Sequence, residues 1–298
     1  MQHRTEILII GGGAAGLTCA MYLRRFHREA MVVDAGNTRL LGIPLSHNYP
    51  GFPRGLPGPT LLRRLRQQLE AYGGSVHEGT IVEVFKTDEC FRAVGEDFSV
   101  DARYVVLATG VSDETLDMPE VDAAIARGYL RYCPICDGYE VTGKRVGVVV
   151  RDAGGLGEAR YLRQFTERVT VIPLHGHVEF DEATRARMLD DGLGLADSPL
   201  SGLMLDRGGV QVEHADGRDD YDSLYCALGT RVHNHLAQQL GAAVDEAGYV
   251  VTDEHGQTNV DGLYAIGDLS VGINQIAVAV GKAAITASAL QVRLGTHA

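Results

Sequence analysis

Residues 7–16, Ile-Leu-Ile-Ile-Gly-Gly-Gly-Ala-Ala-Gly, restrict the fold of this chain more than any other stretch. Ile7 to Ile10 are apolar without alternation, the pattern of a strand buried on both faces of a parallel sheet. Gly11, Gly13 and Gly16 then fill the three places of Gly-x-Gly-x-x-Gly, with Ala14 and Ala15 between the last two. There glycine permits a tight turn, close approach of backbone N–H groups to a pyrophosphate, and close packing of helix on strand. A helical pattern runs from Leu17 to about Arg25, and a second apolar strand, Ala30 to Val33, ends on Asp34. An acid there, close to the ~20-residue offset of the motif, accepts hydrogen bonds from a ribose. The glycine motif alone is weak; with strand, helix, second strand and terminal acid it predicts a dinucleotide-binding βαβ unit.

Further along, residues 37–60 read as a loop, with prolines at 44, 50, 53, 57 and 59. A loop so long in a compact domain usually serves function. Leu61, Leu62, Leu65 and Leu69 predict a helix from Leu61 to Tyr72, and residues 75–104 alternate as strands. Tyr104 to Leu107 is another buried strand, closing on the small turn Ala108-Thr109-Gly110. Strands are expected near 203–205 and 210–214, and Tyr225 to Gly229 echoes 104–110. After a linker near 230–245, apolar residues 263–266 deliver Gly267-Asp268 to a sheet edge, where Asp268 is placed to bind a polyol. Residues 272–277 open a small-residue helix whose first amides suit a polar ring edge.

A second strand, turn and helix begins at Arg145, with helix near 158–165 and strand Val169–Ile172, but its turn reads Val150-Arg151-Asp152-Ala153-Gly154-Gly155. Matched to the fingerprint, its first two glycine places fall on Val150 and Asp152. A β-branched side chain and a carboxylate stand where backbone must meet a phosphate, and the carboxylate repels one. NADP(H) selection calls for Arg or Lys after the next strand and NAD(H) for an acid; the chain offers His175 and His177. The alternative is a shifted phosphate loop formed by Gly154, Gly155 and Gly157.

Between the two units lies Arg131-Tyr132-Cys133-Pro134-Ile135-Cys136-Asp137-Gly138-Tyr139-Glu140. Cys-x-x-Cys spacing lets both sulfurs meet across one turn, and a thiol at a helix start has its thiolate favoured. The competing reading is half a zinc site, which needs four ligands. No second Cys-x-x-Cys exists, and the close His pairs are His175/His177 and His233/His235. Asp137 favours redox chemistry, because a carboxyl beside the second sulfur shuttles the proton that thiol–disulfide exchange gains or loses. Cys19, Cys90 and Cys226 sit in apolar surroundings and read as buried small hydrophobes.

Charge and length narrow the classes further. With 27 Lys+Arg against 39 Asp+Glu the net charge is −12, which disfavours a nucleic-acid-binding face. The 298 residues suit two domains. No signal-peptide pattern appears, five cysteines do not make a secreted disulfide framework, and no apolar stretch is expected to reach the ~20 residues of a membrane span. A cytoplasmic protein with no membrane partner is expected.

Taken in order, the glycine motif at 11–16, Cys-x-x-Cys-Asp at 133–137 and Gly-Asp at 267–268 with its Gln-bearing helix resemble the low-molecular-weight thioredoxin reductase family nearly end to end. The resemblance implies an α/β fold of two Rossmann-like (three-layer ββα) nucleotide-binding domains, the second inserted into the first. It places an FAD domain at 1–113 and 243–298 and the inserted, degenerate NAD(P)H-binding-like domain at 114–242. It implies that Gly11, Gly13, Ala14, Ala15, Gly16, Thr109, Gly110 and Gly267 line the FAD, with Asp34 on the adenosine ribose and Asp268 on the ribitol. Gln275 and Ile276 would lie by the flavin pyrimidine edge, and Asn48-Tyr49-Pro50-Gly51 matches a family loop near the flavin. Cys136 corresponds to the flavin-facing sulfur, Cys133 to the interchange thiol, and Asp137 to the acid/base. A homodimer is implied.

NADPH-using members keep glycines in the second turn and a His-Arg-Arg set after the next strand; this chain has neither. It is more similar to the branch without a nicotinamide site: ferredoxin-linked flavin reductases, second-flavin-linked enzymes, and dithiol oxidases of disulfide-containing natural products. The resulting expectation is an FAD-dependent thiol–disulfide oxidoreductase acting through Cys133/Cys136 on a thioredoxin-like protein or small dithiol, without NADPH. The alternatives are an oxygen-using dithiol oxidase, a ferredoxin- or second-flavin-linked reductase, an NADPH-dependent thioredoxin reductase with a shifted loop, and a non-catalytic flavin redox sensor. Ferredoxins are acidic, so that partner needs Arg24, Arg25, Arg28, Arg63, Arg64 and Arg66 to form a local basic patch.

Overall fold

The apolar run at 7–10 is the buried end of β1 (Gln2–Ile10) in the computed structural model, which describes residues 1–174, 180–206 and 208–295. Ile7, Leu8 and Ile9 are fully buried, each contributing about 1.5–3 kcal/mol by leaving water. α1 (Ala14–Arg25) starts straight from the glycine turn, and its last turn carries Arg24 and Arg25, which suit the negative end of the helix dipole. β2 (Ala30–Asp34) returns parallel to β1, Ile7 opposite Ala30 and Ile10 opposite Val33.

α2 (Gly58–Ala71) begins three residues before the expected Leu61, because Pro59 in the first turn needs no helical N–H partner. A Cβ on Gly58 would stand 1.9 Å from the Leu40 carbonyl oxygen. β3 (Val76–Glu78), β4 (Ile81–Lys86), β5 (Phe91–Gly95) and β6 (Ser99–Leu107) complete this leading stretch. The sheet order is β3-β2-β1-β6-β5-β4. Cys90 belongs to the β4–β5 turn and is only half-buried, its sulfur 3.6 Å from Thr87 Oγ1. The apolar-core reading therefore holds for Cys19 and Cys226 and not for Cys90.

β7 (Val111–Asp113) carries the chain onward to α3 (Val121–Ala126), β8 (Leu130–Arg131), α4 (Pro134–Asp137), β9 (Val146–Val150), α5 (Leu156–Leu162), β10 (Val169–Pro173), α6 (Glu182–Asp190) and β11 (Gly194–Leu195). A meander of β12 (Gly202–Asp206), β13 (Gly209–His214) and β14 (Gly217–Tyr221) then precedes β15 (Ser223–Ala227). The five-stranded sheet has the order β11-β10-β9-β15-β8 and is parallel throughout. Alternation gives it two cores. Val149, Leu224 and Cys226 pack with the meander, while Val146, Val148, Val150 and Tyr225 pack with α5 and α6. His175 and His177 lie outside the described residues.

The chain returns through β16 (Thr230–Val232), which pairs with β7, to α7 (His235–Gln239), β17 (Leu263–Ala265) and α8 (Ile276–Gly295). β17 lies parallel to the second half of β6, Leu263 opposite Val105, while β5 pairs with the first half. One compact unit comprises Met1–Ile43, Leu56–Ser112 and Val232–Ala298; the other comprises Pro44–Gly55 and Asp113–Arg231. The division falls at 231/232, against the expected 242/243, because Leu236, Ala237 and Ala242 share a core with Leu8 and Val105. The stretch 230–245 thus holds a strand and a helix where a plain linker is expected.

The expectation of no stretch of membrane-spanning length meets one exception: α8, with 20 residues, is long and apolar enough by composition. It packs on α1 and buries Ala279, Ala283, Ala287, Leu290 and Leu294, while 28% of its apolar window is buried.

Candidate redox site and dinucleotide cradle

In the first unit the glycine turn is packed so closely that side chains are excluded. A Cβ on Gly16 would lie 1.9 Å from the Gly11 carbonyl oxygen, and Gly11 itself has φ +111° with its Cβ position 2.3 Å from Ala108 O. Gly12, at a variable place of the motif, is equally constrained. Its N–H donates to Asp34 Oδ1 at 3.0 Å, and a Cβ would meet that carboxyl at 2.6 Å. Arg66 Nη2 of α2 holds the other oxygen of Asp34 at 2.9 Å, while Arg66 Nε is buried without a partner among the described residues. Each carboxylate oxygen has two acceptor sites, so Asp34 keeps capacity for ribose hydroxyls.

α1 has no side-chain cap at Gly13. Its first amides are therefore presented at the positive end of a 12-residue helix. Gly267, at φ +72°, would bring a Cβ to 2.8 Å from that of Ala15, so the Gly267–Leu269 turn lies against the start of α1. Asp268 accepts from Arg39 Nη1 at 3.2 Å. The Thr109-Gly110 turn is tied to His233: Thr109 Oγ1 donates to its carbonyl at 2.7 Å and its N–H donates to Gly110 O at 3.0 Å. Gln275 directly precedes α8, and its carbonyl accepts from Ala279 N at 2.9 Å; Ile276 is the first helical residue.

Two acids, a glycine turn without room for side chains between them and a helix start with no side-chain cap suit FAD, with its ribose, diphosphate and ribitol. Arg39, Arg66 and Gly12 have no signal in the motif; only the packing of the 39–42 turn and α2 reveals them. The structure brings together Gly11, Gly13, Ala14, Ala15, Gly16, Asp34, Gly267 and Asp268. Asn48 lies in the Pro44–Gly55 segment, which groups with the second unit, and accepts from Ser46 Oγ at 3.1 Å.

In the second unit Cys133 and Cys136 form a disulfide, with Cα atoms 5.2 Å apart. Cys133 is the N-cap of α4, a single turn that runs on as a 3-10 turn through Val141. Gly138 is required by contact, since a Cβ would meet the Phe165 ring at 2.6 Å. Asp137 accepts from Arg131 Nη1 at 2.8 Å and from Tyr225 Oη at 2.7 Å. Burial raises its carboxyl above the ordinary range; Arg131 and Tyr225 oppose that and Glu140 adds to it. Among the described residues no three His, Cys, Asp or Glu side chains converge as a metal site. Burial pushes the thiols of Cys19 and Cys226 up to about 12, leaving both as packing groups.

The turn after β9 is closed on itself. Val150 is fully buried, and Asp152 Oδ1 accepts from Gly154 N at 2.7 Å. At Gly155 an added Cβ would meet Ala227 O at 2.7 Å.

Residues 5–283 match the family model for pyridine nucleotide-disulphide oxidoreductase. The thioredoxin reductase of Bacillus subtilis (strain 168) is 26% identical, covering 96% of this chain and 93% of its own length. That of Treponema pallidum (strain Nichols) is 27% identical, covering 97% of each. Among solved structures, the thioredoxin reductase of Streptococcus pyogenes MGAS5005 has a TM-score of 0.89 at 25% identity, covering 98% of this chain and 99% of its own. HlmI has the same TM-score at 24% identity, over 99% and 95%, a likeness of fold. The chain belongs to the pyridine nucleotide-disulphide oxidoreductase family. Within it, the chain is a thioredoxin reductase-like, FAD-dependent disulfide oxidoreductase.

Proposed function

We propose that this enzyme passes electrons between FAD and an external dithiol or disulfide through Cys133 and Cys136, without NADPH. The observation that carries the second half is the Asp152 cap. The Gly154 N–H, which a phosphate would need, is held by a carboxylate, and the fully buried Val150 fills the first glycine place. Such a turn repels a diphosphate.

Gly11, Gly13, Ala14, Ala15 and Gly16 would hold the FAD diphosphate, Asp34 and Asp268 its ribose and ribitol, and Gln275 and Ile276 its ring edge. FAD, when bound, supplies a centre that accepts or gives two electrons. Cys133 carries the exchange with substrate, Cys136 is its resolving partner, and Asp137 moves the proton. Substrates are a small dithiol or a thioredoxin, the partner named by the relatives. A ferredoxin partner fits poorly, because Arg66 and Arg28 are engaged internally with Asp34 and Glu6. Three thiols outside the redox pair suit a cytoplasmic location. A homodimer is proposed, using the outward face of α8.

Anaerobic titration tests this. Dithiothreitol is expected to bleach the flavin band and NADPH to leave it unchanged, whereas stoichiometric bleaching by NADPH refutes the NADPH-free reading. Cys133→Ser is expected to stay yellow with dithiothreitol; unaltered bleaching removes the disulfide from the route.

A further inference from the structure

Arg131 and Tyr225 are opposite each other in the parallel register of β8 and β15. Their side chains therefore leave the same face of the sheet, shared by Ser223 two residues earlier. This is the face on which Val146, Val148 and Val150 pack with Tyr225. From it, Tyr225 Oη donates to Asp137 Oδ1 at 2.7 Å and Arg131 Nη1 to Asp137 Oδ2 at 2.8 Å. Arg131 Nε reaches Ser223 Oγ at 3.3 Å, which fixes the guanidinium in turn. Two strands thus grip both oxygens of the residue that comes directly after the second redox cysteine.

Neither donor is demanded by packing. Tyr225 is fully buried in an aliphatic core where Phe would pack without a hydroxyl to satisfy. Arg131 sits at the end of a two-residue strand with its side chain only 17% exposed, where a buried guanidinium is costly unless paired. The groups that act on Asp137 are Arg131 from β8, Tyr225 from β15 and Glu140 from the 3-10 turn, and Glu140 Oε2 is itself buried without a partner among the described residues.

We propose that Arg131 and Tyr225 are positioning residues that hold the Asp137 carboxyl in one orientation as proton acceptor for thiol–disulfide exchange at Cys133 and Cys136. The proposal rests on the reading of that disulfide as the route to substrate. An external thiolate attacks Cys133 Sγ; the Cys133–Cys136 bond breaks and its electron pair leaves on Cys136 Sγ. The second substrate sulfur, deprotonated, attacks the first, which expels Cys133 as thiolate. The substrate departs as its disulfide, two electrons poorer, and the pair has gained them. Of the two thiol protons, one passes to Asp137 and one to water.

The test compares Tyr225→Phe, Arg131→Met and Arg131→Lys with the parent holoenzyme, by the rate of anaerobic flavin bleaching with dithiothreitol across pH. Flavin content and melting temperature are measured in parallel. Tyr225 and Arg131 both favour the charged carboxylate, so removing either makes Asp137 titrate at higher pH. The acid limb of the rate profile is expected to move to higher pH in Tyr225→Phe and further in Arg131→Met, with roughly tenfold slower exchange, the scale of one hydrogen bond to a charged group. Arg131→Lys is expected to restore most of both. Profiles that superimpose on the parent overturn the proposal, as does a rate loss equal in the Met and Lys variants with no shift of the limb. Should Arg131→Met fail to fold, the near-isosteric Tyr225→Phe decides alone. If Asp137→Asn and Cys133→Ser also leave bleaching unchanged, the fault lies in the underlying reading of the disulfide.

Discussion

At the scale of single residues, contact distances separate glycines that a motif merely tolerates from those the backbone demands. Gly16 faces the Gly11 carbonyl oxygen, a backbone atom that cannot swing aside. Gly16→Ala is expected to cost about 1–3 kcal/mol of stability in the flavin-free protein. Because the displaced turn is also the proposed diphosphate seat, FAD affinity should fall at least tenfold; fluorescence titration with FAD and urea melts of the apoprotein measure the two effects. Gly12, unmarked in the fingerprint, is held by the Asp34 carboxyl. The motif marks Gly16 through sequence spacing, whereas Gly12 becomes visible only when β1 and β2 lie side by side.

At the scale of elements, α5 is a helix of nucleotide-binding type that follows a turn capped by the Asp152 carboxylate. Glu158 in its first turn is partly buried, Oε2 is without a partner among the described residues, and burial, with Asp113 nearby, pushes the carboxyl up to about 7. The native state therefore holds a proton that the unfolded chain releases near 4.5, the ordinary value for this group. The stability so conferred is complete below pH 4.5 and is lost as pH rises through about 7. Glu158→Gln cannot titrate, so its stability should gain on the parent's across that window; thermal melts at acid and neutral pH provide the comparison, and parallel curves would contradict it. The β8–β15 pair is the other informative element, because its register aims Arg131 and Tyr225 at Asp137.

At the scale of the whole molecule, the two units repeat one architecture: a five-strand parallel core, an antiparallel meander and crossover helices. On the first unit, α8 turns Ile285 and Val292 outward, 49% and 68% exposed, lining a groove with Tyr22, Ala284 and Ala289. Proposed as the seat of a second copy, this face predicts a dimer by sedimentation and dissociation toward monomer in Ile285→Arg/Val292→Arg, with flavin content retained; a dimer unaffected by both charges would move the interface elsewhere. The sequence by itself determined the two nucleotide-type units, the redox pair and the acids at each end of the cradle, because apolar periodicity, glycine spacing and Cys-x-x-Cys are local patterns with local physical causes. Tertiary structure alone decided where the units divide, that 232–242 packs into the first core, that Arg66 and Arg39 meet Asp34 and Asp268, and that Asp137 is gripped by residues 6 and 88 positions away. Such partners are chosen by strand register and helix packing, which bring together residues whose separation along the chain carries no signal.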